Sequence, residues 1–336
     1  MAMMSSSRSG TGNGSAATLL YSVDNAFLPL ACISIASIAE NRHGPVPPVT
    51  ILLHNVARPG RDRAKQFLEA LGVVVDLIDV DGEWCEPWAR QRRQSPAKFG
   101  ILRLEEFISH PADRVIVIDA DTRFVDDIGP LLDMSLGIAP LAAVDDIAMI
   151  ADGRVPLLAS KLGLPPGTGY FNSGLMVIDL KRWTAERIGH QAIAVFSERP
   201  EILTFNDQCA LNAVLQGRYT KLGFRWNHLV GSSPPEWPAS MFHYAGHLKP
   251  WQLHAVRKVW SLDHLVSREH FEFYERMGAA LQWPPADFGR PGPVKAILML
   301  ALFIKLHTSG KLRSYSERQR SSHILGVGLK YPELLE

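Results

Sequence analysis

Cysteine is scarce in this chain, and its scarcity argues against a disulfide framework. Only three cysteines, Cys32, Cys85 and Cys209, occur among 336 residues, and no two of them form a Cys-x-x-Cys pair. An odd and widely spaced set is typical of proteins from a reducing compartment. We therefore expect a cytoplasmic protein without structural disulfides.

Excess charge and known phosphate-binding loops are also lacking. The formal net charge is +1, so the overall charge balance gives no support for nucleic-acid binding, and none is expected. No G-x-G-x-x-G motif or P-loop is found. Residues 1–17 lack the apolar core of a signal peptide, and their Ser and Gly content predicts a disordered leader.

Long hydrophobic runs are limited to one segment near the C-terminus, from Val294 to His307. Its apolar interior is shorter than the ~20 residues needed to cross a bilayer. Because Lys295, Lys305 and Lys311 flank it, one interpretation is peripheral contact with the inner face of a membrane. The alternative is a buried core helix.

Strand-like and helix-like patterns alternate through the first two thirds of the chain. Predicted strands such as "TLLYSVD" and "VTILLHNV" are followed by predicted helices such as "LPLACISIASIAENR" and "RDRAKQFLEALG". A helix is also predicted over "FGILRLEEFISH" and over "NDQCALNAVLQG", with Asn206 or Asp207 near the N-cap of the latter. This order predicts an α/β fold with one mainly parallel sheet between helices over residues 18–260, followed by a helical extension over 261–336.

The strand "RVIVIDADTRF" ends on two carboxylates, Asp119 and Asp121. Residues i and i+2 of a strand point to the same side, so the two converge if the strand continues through them. A divalent cation would relieve the repulsion between them. The alternative is that both are ordinary turn residues, since Asp is favoured where strands end.

The segment "HYAGHLKPW" supplies groups that complement this acidic pair. His243 offers a nitrogen ligand, Gly246 permits close backbone approach, and Lys249 adds a positive charge. Two carboxylates and one imidazole suit Mn²⁺ better than Mg²⁺, which rarely takes nitrogen ligands. A metal and a lysine together would neutralise a diphosphate leaving group.

These motifs resemble those of glycosyltransferase family 8, which includes bacterial lipopolysaccharide galactosyl- and glucosyltransferases and glycogenin. The similarity is ordered from Thr18 to Trp251 through "SVDNAFLPLACISIASI", "DADTRFVDDIGPL", "YFNSGLMVIDLKRW", "NDQCALNAVL" and "HYAGHLKPW". It implies a GT-A fold and Mn²⁺, with Mg²⁺ as the alternative ion. It also implies transfer of a hexose, galactose or glucose, from a UDP-sugar to a hydroxyl of a saccharide or glycolipid with retention of configuration.

The resemblance also assigns roles to individual positions. They are Asp119, Asp121 and His243 for the metal, Gly246 and Lys249 for the diphosphate, Asp24 and Asn25 for uridine and ribose, Asn172, Asp145 and Asp207 for the donor sugar, and Gln208 on the far face of that sugar.

Two positions depart from the family pattern. Members often carry an arginine that touches the donor in the helix before the metal strand, and Ile101 stands at that place here. Lys98 and Arg103 are the two nearby candidates to replace it. Val23 occupies a position where many members have another polar nucleotide contact, so the uridine end is expected to be bound differently.

The residue beneath the donor sugar bears on the mechanism. Gln208 is a poor nucleophile, so we expect same-face attack, with the departing phosphate accepting the proton of the acceptor hydroxyl. Double displacement through Asp207 or Asp145 is the alternative. Taken without their neighbours, Asp207 and Gln208 would also be typical of a helix N-cap.

Two other classes of protein share some of these features. A haloacid-dehalogenase-type phosphohydrolase also ends a strand on Asp-x-Asp, but its motif usually lies in the first strand and continues with Thr or Val, whereas here the pair lies at position 119 and Arg123 follows. A non-catalytic or accessory sugar-nucleotide-binding protein would keep most of the same residues. Release of UDP rather than free phosphate distinguishes these classes.

Overall fold

Ten strands form two sheets in the computed structural model, which describes residues 16–108, 110–246, 249–251 and 267–282, together with residues 297, 301, 304 and 308. The strands are β1 (Ala17–Asp24), β2 (Val49–His54), β3 (Val75–Asp79), β4 (Arg114–Ile118), β5 (Thr122–Phe124), β6 (Leu141–Asp145), β7 (Phe171–Asp179), β8 (Thr220–Lys221), β9 (His228–Leu229) and β10 (Met241–His243).

Ten α-helices are described, several of which begin with proline in the first turn, where its missing N–H costs nothing. They are α1 (Leu28–Asn41), α2 (Arg58–Ala70), α3 (Glu86–Arg92), α4 (Gly129–Asp133), α5 (Ile147–Ala151), α6 (Val155–Leu162), α7 (Leu180–Ala185), α8 (Ile188–Glu198), α9 (Asn206–Leu215) and α10 (Arg268–Ala280). Short 3₁₀ segments cover Pro96–Glu106, Pro200–Ile202 and Phe224–Asn227.

The main sheet has seven strands in the order β3-β2-β1-β4-β7-β6-β8. The first four are parallel, whereas β7 runs antiparallel to both β4 and β6. Helices cover both faces, so its central strands are buried on both sides and are almost continuously apolar, as in "RVIVI" of β4. The mixed α/β sheet between helices confirms the predicted fold class.

Side chains alternate between two cores, one on each face of the sheet. Along β1, Leu19, Tyr21 and Val23 face the core that includes α1, while Leu20 faces the core that includes α8 and α9. Both cores consist of aliphatic and aromatic side chains, which fixes the register of the strands and therefore the positions of their carboxyl ends.

A second, three-stranded sheet, β5-β10-β9, lies beyond the end of β4. Here β10 pairs antiparallel with β5, so that His243 stands opposite Thr122. This pairing brings the distant C-terminal segment back to the acidic tip of β4.

Two predictions about local structure were wrong in detail. Strand β4 ends at Ile118, so Asp119 and Asp121 lie in the link to β5 rather than within one continuous strand. The segment "FGILRLEEF" belongs to a 3₁₀ segment, Pro96–Glu106, with non-helical dihedrals at Arg103, rather than to an α-helix. Its glycine, Gly100, lies against Ser22 and His54, where a Cβ would come within 2.4 Å of the serine Oγ.

The C-terminal extension is described only in part. Beyond residue 260, helix α10 buries Phe271 and Tyr274 in the same core as α1, so this part of the extension packs against the main fold. The predicted leader over 1–17 and the boundary at 260 lie largely outside the described residues, as does most of the apolar segment from Val294 to His307. Among the described residues, no helix combines the length and apolarity needed to span a membrane.

Candidate active site

Asp119, Asp121 and His243 converge at the carboxyl end of the central strands. One ligand atom from each lies within 4.8 Å of the others, and His243 Nε2 is 3.5 Å from an oxygen of each carboxylate. The backbone explains the convergence: the Asp119 N–H donates to the Gly174 carbonyl of β7, and the Tyr244 N–H donates to the Asp121 carbonyl, both at 2.9 Å. These two backbone hydrogen bonds, and not alternation along one strand, bring the two carboxylates together.

Charges within this cluster are mutually stabilising. Burial alone would raise the pKa of Asp121, but the Lys249 ammonium and the His243 imidazole hold it well below its ordinary value. Burial would likewise lower the pKa of His243, but Asp121 and Asp119 raise it. The pair of carboxylates thus attracts positive charge, as a cation site requires. Two oxygens and one imidazole nitrogen form a donor set that fits a divalent transition metal.

Lys249 lies on the opposite side of Asp121 from the imidazole. Its Nζ donates to Asp121 Oδ2 at 2.5 Å and to the Tyr244 carbonyl at 2.8 Å, while Asp121 Oδ1 faces His243. The Trp251 ring centroid is 5.3 Å from the same Nζ, a cation–π contact that supports the lysine. One Asp121 oxygen therefore stays directed at the metal position while the other holds Lys249.

The predicted diphosphate contact Gly246 has the backbone conformation that only glycine adopts easily. Its φ is +91°, outside the region open to other L-residues. A larger residue at this position would therefore strain the backbone.

Amide side chains form the neighbouring half of the site. Asn172 lies at the start of β7, and its Oδ1 accepts from the Gly174 N–H at 2.9 Å and from Asn227 Nδ2 at 2.9 Å. Asn227 Oδ1 in turn lies 2.9 Å from His243 Nδ1. The chain folds "YFNSG" so that its asparagine is connected with His243 through one intermediate, Asn227, which sequence reasoning did not single out.

Gln208 and Asp207 lie side by side in the first turn of α9. Gln208 Nε2 donates to Asp146 Oδ2 at 2.9 Å, and Asp207 Oδ2 accepts from Ser173 Oγ at 3.0 Å. The alternative that they cap α9 is wrong: the N-cap residue is Phe205, with no side-chain capping bond. The helix instead starts at Asn206 with a φ of +45°, a strained conformation that turns the two following side chains toward β7.

Asp207 is a buried carboxyl group of the site with a raised pKa. Burial raises its pKa to about 6, and the Asp119 carboxylate adds to the rise, while Lys98 opposes it.

The two adjacent aspartates at the end of β6 face opposite ways. Asp146, which sequence analysis did not select, contacts Asn172 and Gln208. Asp145, which it did select, bonds instead to Lys221 Nζ at 2.6 Å and to the Tyr219 hydroxyl.

Asp145 therefore lies beside a separate cavity of about 840 Å³, lined mainly by α6 and the loop from Leu164 to Gly169. The structure does not bring the Asp145 carboxylate into contact with the other selected residues that it describes. Their places in the chain explain the difference: Asp145 is the last residue of β6, where the pairing with β7 shifts register, whereas Asp146 is the N-cap residue of α5.

Asp24 and Asn25 form a turn at the carboxyl end of β1. Asp24 Oδ1 accepts from the Ala26 and Phe27 N–H groups at 3.0 and 3.2 Å, and Asn25 Oδ1 accepts from the Ala57 N–H at 3.2 Å. They lie at the same edge of the sheet as the metal cluster, and Asp24 is only partly exposed.

Lys98 and Arg103, the two candidates to replace the arginine that the family often carries, have different surroundings. Desolvation opposes the charge of Lys98, but Asp207, Asp119 and Asp121 together raise its pKa, which places its ammonium in the field of the site. Arg103 pairs with Glu106 and lies over the Trp84 ring, 5.3 Å from its centroid. The geometry favours Lys98.

Comparison with known proteins agrees with this arrangement. The model of Glycosyl transferase family 8 matches residues 18–255, well over half of the chain. This chain belongs to glycosyltransferase family 8. The matched region contains the Asp119–Asp121–His243 cluster, Gln208 and Asp146.

Relatives within the family come from several bacteria. The chain is 28% identical over 211 residues to general stress protein A of Bacillus subtilis, covering 57% of this chain and 71% of that protein. It is 26% identical to a lipopolysaccharide 1,2-glucosyltransferase of Escherichia coli, covering 70% and 73%. It is 28% identical to a lipopolysaccharide 1,3-galactosyltransferase of Salmonella typhimurium, covering 69% and 72%.

A solved structure gives the same fold. The galactosyltransferase LgtC in complex with donor and acceptor sugar analogues superposes with a TM-score of 0.65 at 22% identity, covering 78% of this chain and 95% of that chain. The fold is therefore GT-A, as the sequence resemblance implied.

Proposed function

We propose that this family 8 glycosyltransferase is a metal-dependent, retaining hexosyltransferase that uses a UDP-sugar. The observation that carries the proposal is the Asp119–Asp121–His243 cluster, with its ligand atoms within 4.8 Å and Lys249 beside it. These three residues would hold Mn²⁺, with Mg²⁺ as the weaker alternative because of the imidazole ligand. The metal supplies Lewis-acid neutralisation of a leaving diphosphate.

Different residues of this chain are proposed to bind the different parts of the donor. Lys249, the Gly246 loop and Lys98 are proposed to bind the diphosphate, since two ammonium groups next to a divalent cation offset its negative charge. Asp24 and Asn25, at the carboxyl end of β1, are proposed to hold the nucleoside, and Asn172, Asp207 and Gln208 the donor sugar. Asp145 is not included, because its carboxylate is bonded to Lys221 and Tyr219.

Retention by same-face attack is the route we favour. The group beneath the sugar, Gln208, is an amide that is already engaged with Asp146, and an amide is a poor nucleophile. Asp207 is the alternative nucleophile for double displacement. A glycosyl adduct on Asp207, detected by mass spectrometry after incubation with the donor, would contradict the same-face route and favour double displacement.

The lipopolysaccharide relatives support galactose or glucose as the transferred sugar and a saccharide or glycolipid hydroxyl as the acceptor. The test is a screen of UDP-sugars for hydrolysis with and without Mn²⁺, since it requires no acceptor. We expect UDP release that depends on Mn²⁺ from UDP-galactose or UDP-glucose. Binding of UDP-sugar without turnover would instead favour the accessory-protein class, and phosphate release from phosphomonoesters would favour the phosphohydrolase class.

A further inference from the structure

The Asp146 carboxylate accepts four hydrogen bonds from two different directions. Its Oδ1 caps α5, accepting from the Ala148 and Met149 N–H groups at 3.1 Å each. Its Oδ2 accepts from Asn172 Nδ2 at 3.1 Å and from Gln208 Nε2 at 2.9 Å. The side chain is buried, so all four donors depend on this one group. Helix capping accounts for only one of the two oxygens.

The first branch from Oδ2 leads to the metal cluster and has a defined direction. A carboxylate can only accept, so Asn172 must present its Nδ2 to Asp146 and its Oδ1 to the other side. That Oδ1 accepts from the Gly174 N–H and from Asn227 Nδ2, both at 2.9 Å. Asn227 is thereby left with its Oδ1 toward His243.

An amide oxygen can only accept, so His243 Nδ1, 2.9 Å from Asn227 Oδ1, must carry the proton. In the neutral imidazole, which is the form that binds a metal, the lone pair then lies on Nε2, the nitrogen 3.5 Å from both Asp119 and Asp121. The partner of the other nitrogen fixes both the tautomer and the ring orientation of a metal-bound histidine. Asp146 and the Gly174 N–H together therefore set the direction of a hydrogen-bond chain that ends on Nε2 of His243.

The second branch fixes the amide of Gln208. Because Nε2 donates to Asp146, the Gln208 Oε1 is the atom that faces the Ser173 N–H, at 3.3 Å. This bond is long and uses one of two lone pairs, so the oxygen keeps acceptor capacity. A carbonyl oxygen suits the positive charge that develops on an oxocarbenium-like sugar, whereas an NH₂ group would oppose it.

We propose that Asp146 is a positioning residue that orients both Gln208 and, through Asn172 and Asn227, the metal ligand His243. The inference rests on the metal site of the proposed function. Asp146 bonds to Asn172 and Gln208 and acts on His243 only through Asn172 and Asn227. Its function is to anchor the amides of both branches from a single carboxylate, together with the Gly174 and Ser173 N–H groups that donate to the oxygens of the same two amides.

Two substitutions distinguish the branches, and a third is their control. In Asp146→Asn, the amide oxygen can still cap α5, but the NH₂ group then faces the donors of Asn172 and Gln208. In Asn227→Ala, only the His243 branch is broken, and no charge changes. Asp179→Asn is the matched control, because Asp179 caps α7 through a bond to the Arg182 N–H at 2.9 Å at the far end of β7.

The first measurement is the Mn²⁺ dissociation constant of each full-length variant, from the electron paramagnetic resonance signal of free Mn²⁺. We expect it to rise at least about 10-fold in both Asp146→Asn and Asn227→Ala. It should change less than about 2-fold in Asp179→Asn. Should Asp146→Asn fail to fold, Asp146→Ser retains a capping oxygen and removes only the second acceptor, so the same rise is expected.

The second measurement is UDP release at saturating Mn²⁺, using the UDP-sugar that wild type hydrolyses fastest. Excess Mn²⁺ should restore Asn227→Ala to near wild-type turnover, but Asp146→Asn should stay at least about 10-fold slower because Gln208 remains misoriented. The inference would be overturned if Mn²⁺ binding weakened in Asn227→Ala but not in Asp146→Asn. It would also be overturned if excess Mn²⁺ restored the turnover of Asp146→Asn to the wild-type value. Wild type that binds no Mn²⁺ would instead refute the proposed function itself.

Discussion

The two halves of the active site satisfy their polar groups in different ways. In the charged half, His243 Nε2 lies 3.5 Å from an oxygen of Asp119 and from an oxygen of Asp121, a distance too long for strong hydrogen bonds, so a cation would complete the three. In the amide half, Asn172 bonds to Asn227, and both Asn172 and Gln208 bond to Asp146, at 2.9–3.1 Å. The charged half is therefore suited to bind a cation, whereas the hydrogen bonds of the amide half are formed without a ligand.

This difference suggests how the site divides its work. A pair of buried carboxylates attracts a metal and so provides for its diphosphate, whereas a hydrogen-bonded amide cluster keeps its geometry before any substrate arrives. Substitutions in the charged half should therefore act mainly on metal and donor binding. Those in the amide half should act through the orientation of Gln208 or, for Asn227, of His243.

The largest effect is expected from Asp121→Asn. The substitution keeps the shape but removes the charge that faces both His243 and Lys249. Mn²⁺ affinity should fall more than about 100-fold and UDP release should become undetectable, since a metal ligand is lost. Isothermal titration with Mn²⁺ measures this. Asp62→Asn, an exposed carboxylate paired with Arg58, is the control, and equal Mn²⁺ affinity in both variants would contradict the assignment.

A pH-dependent effect on stability is expected from Asp207. Burial raises its pKa from 3.8 to about 6, so folding favours the protonated form. Its contribution is therefore fully present at low pH and is lost as pH rises through about 6. Between pH 4 and pH 8 the loss amounts to at most about 3 kcal/mol.

Urea denaturation of metal-free protein at the two pH values tests this. Asp207→Asn should lose less stability than wild type on going from acid to alkaline pH. Identical pH dependence in the two proteins would show that Asp207 ionises freely.

A methyl group added at Gly174 should disturb both halves of the site by a steric clash. In Gly174→Ala the added Cβ would lie 2.3 Å from His243 Cε1 and 2.9 Å from Asn172 Oδ1, so the imidazole must move. We expect Mn²⁺ affinity to fall about 10-fold or more with the fold retained. Gly44→Ala, whose Cβ would approach nothing closer than 3.5 Å, is the control. Unchanged Mn²⁺ binding in Gly174→Ala would mean that the imidazole position is not critical.

The smallest effect is expected for Lys98, the second lysine that we assign to the diphosphate. Lys98→Ala should raise the KM for the UDP-sugar up to about 10-fold with little change in kcat, because it removes binding common to ground and transition states. Arg103→Ala, which breaks the pair with Glu106, should leave KM unchanged. The opposite ranking would assign the donor contact to Arg103.

Sequence reasoning predicted the fold and the charged half better than the amide half. Carboxylates at the end of an apolar strand and a histidine with a following lysine are visible as local patterns, so Asp119, Asp121, His243 and Lys249 were selected. Asp146 and Asn227 were not, because their roles depend on which face of a strand end or turn they occupy. Such choices are made by tertiary packing.

The signals that could have identified them were weak but present. "VDD" offers two adjacent carboxylates, and only the second of them, Asp146 at the start of α5, contacts Asn172 and Gln208. The glycine of "FNSG" marks a position without room for a side chain, and His243 fills that room. The strain at Asn206, which aims Asp207 and Gln208, has no counterpart in helix propensity.

The most direct test of the account is the position of a metal ion in a crystal grown with MnCl₂ and UDP. Anomalous scattering should show one Mn²⁺ bound by an oxygen of Asp119, by Asp121 Oδ1 and by His243 Nε2, at about 2.0–2.3 Å. Asn227 should still accept from His243 Nδ1. A Mn²⁺ ion bound elsewhere on the protein, or none between these three residues, would contradict the proposed metal site.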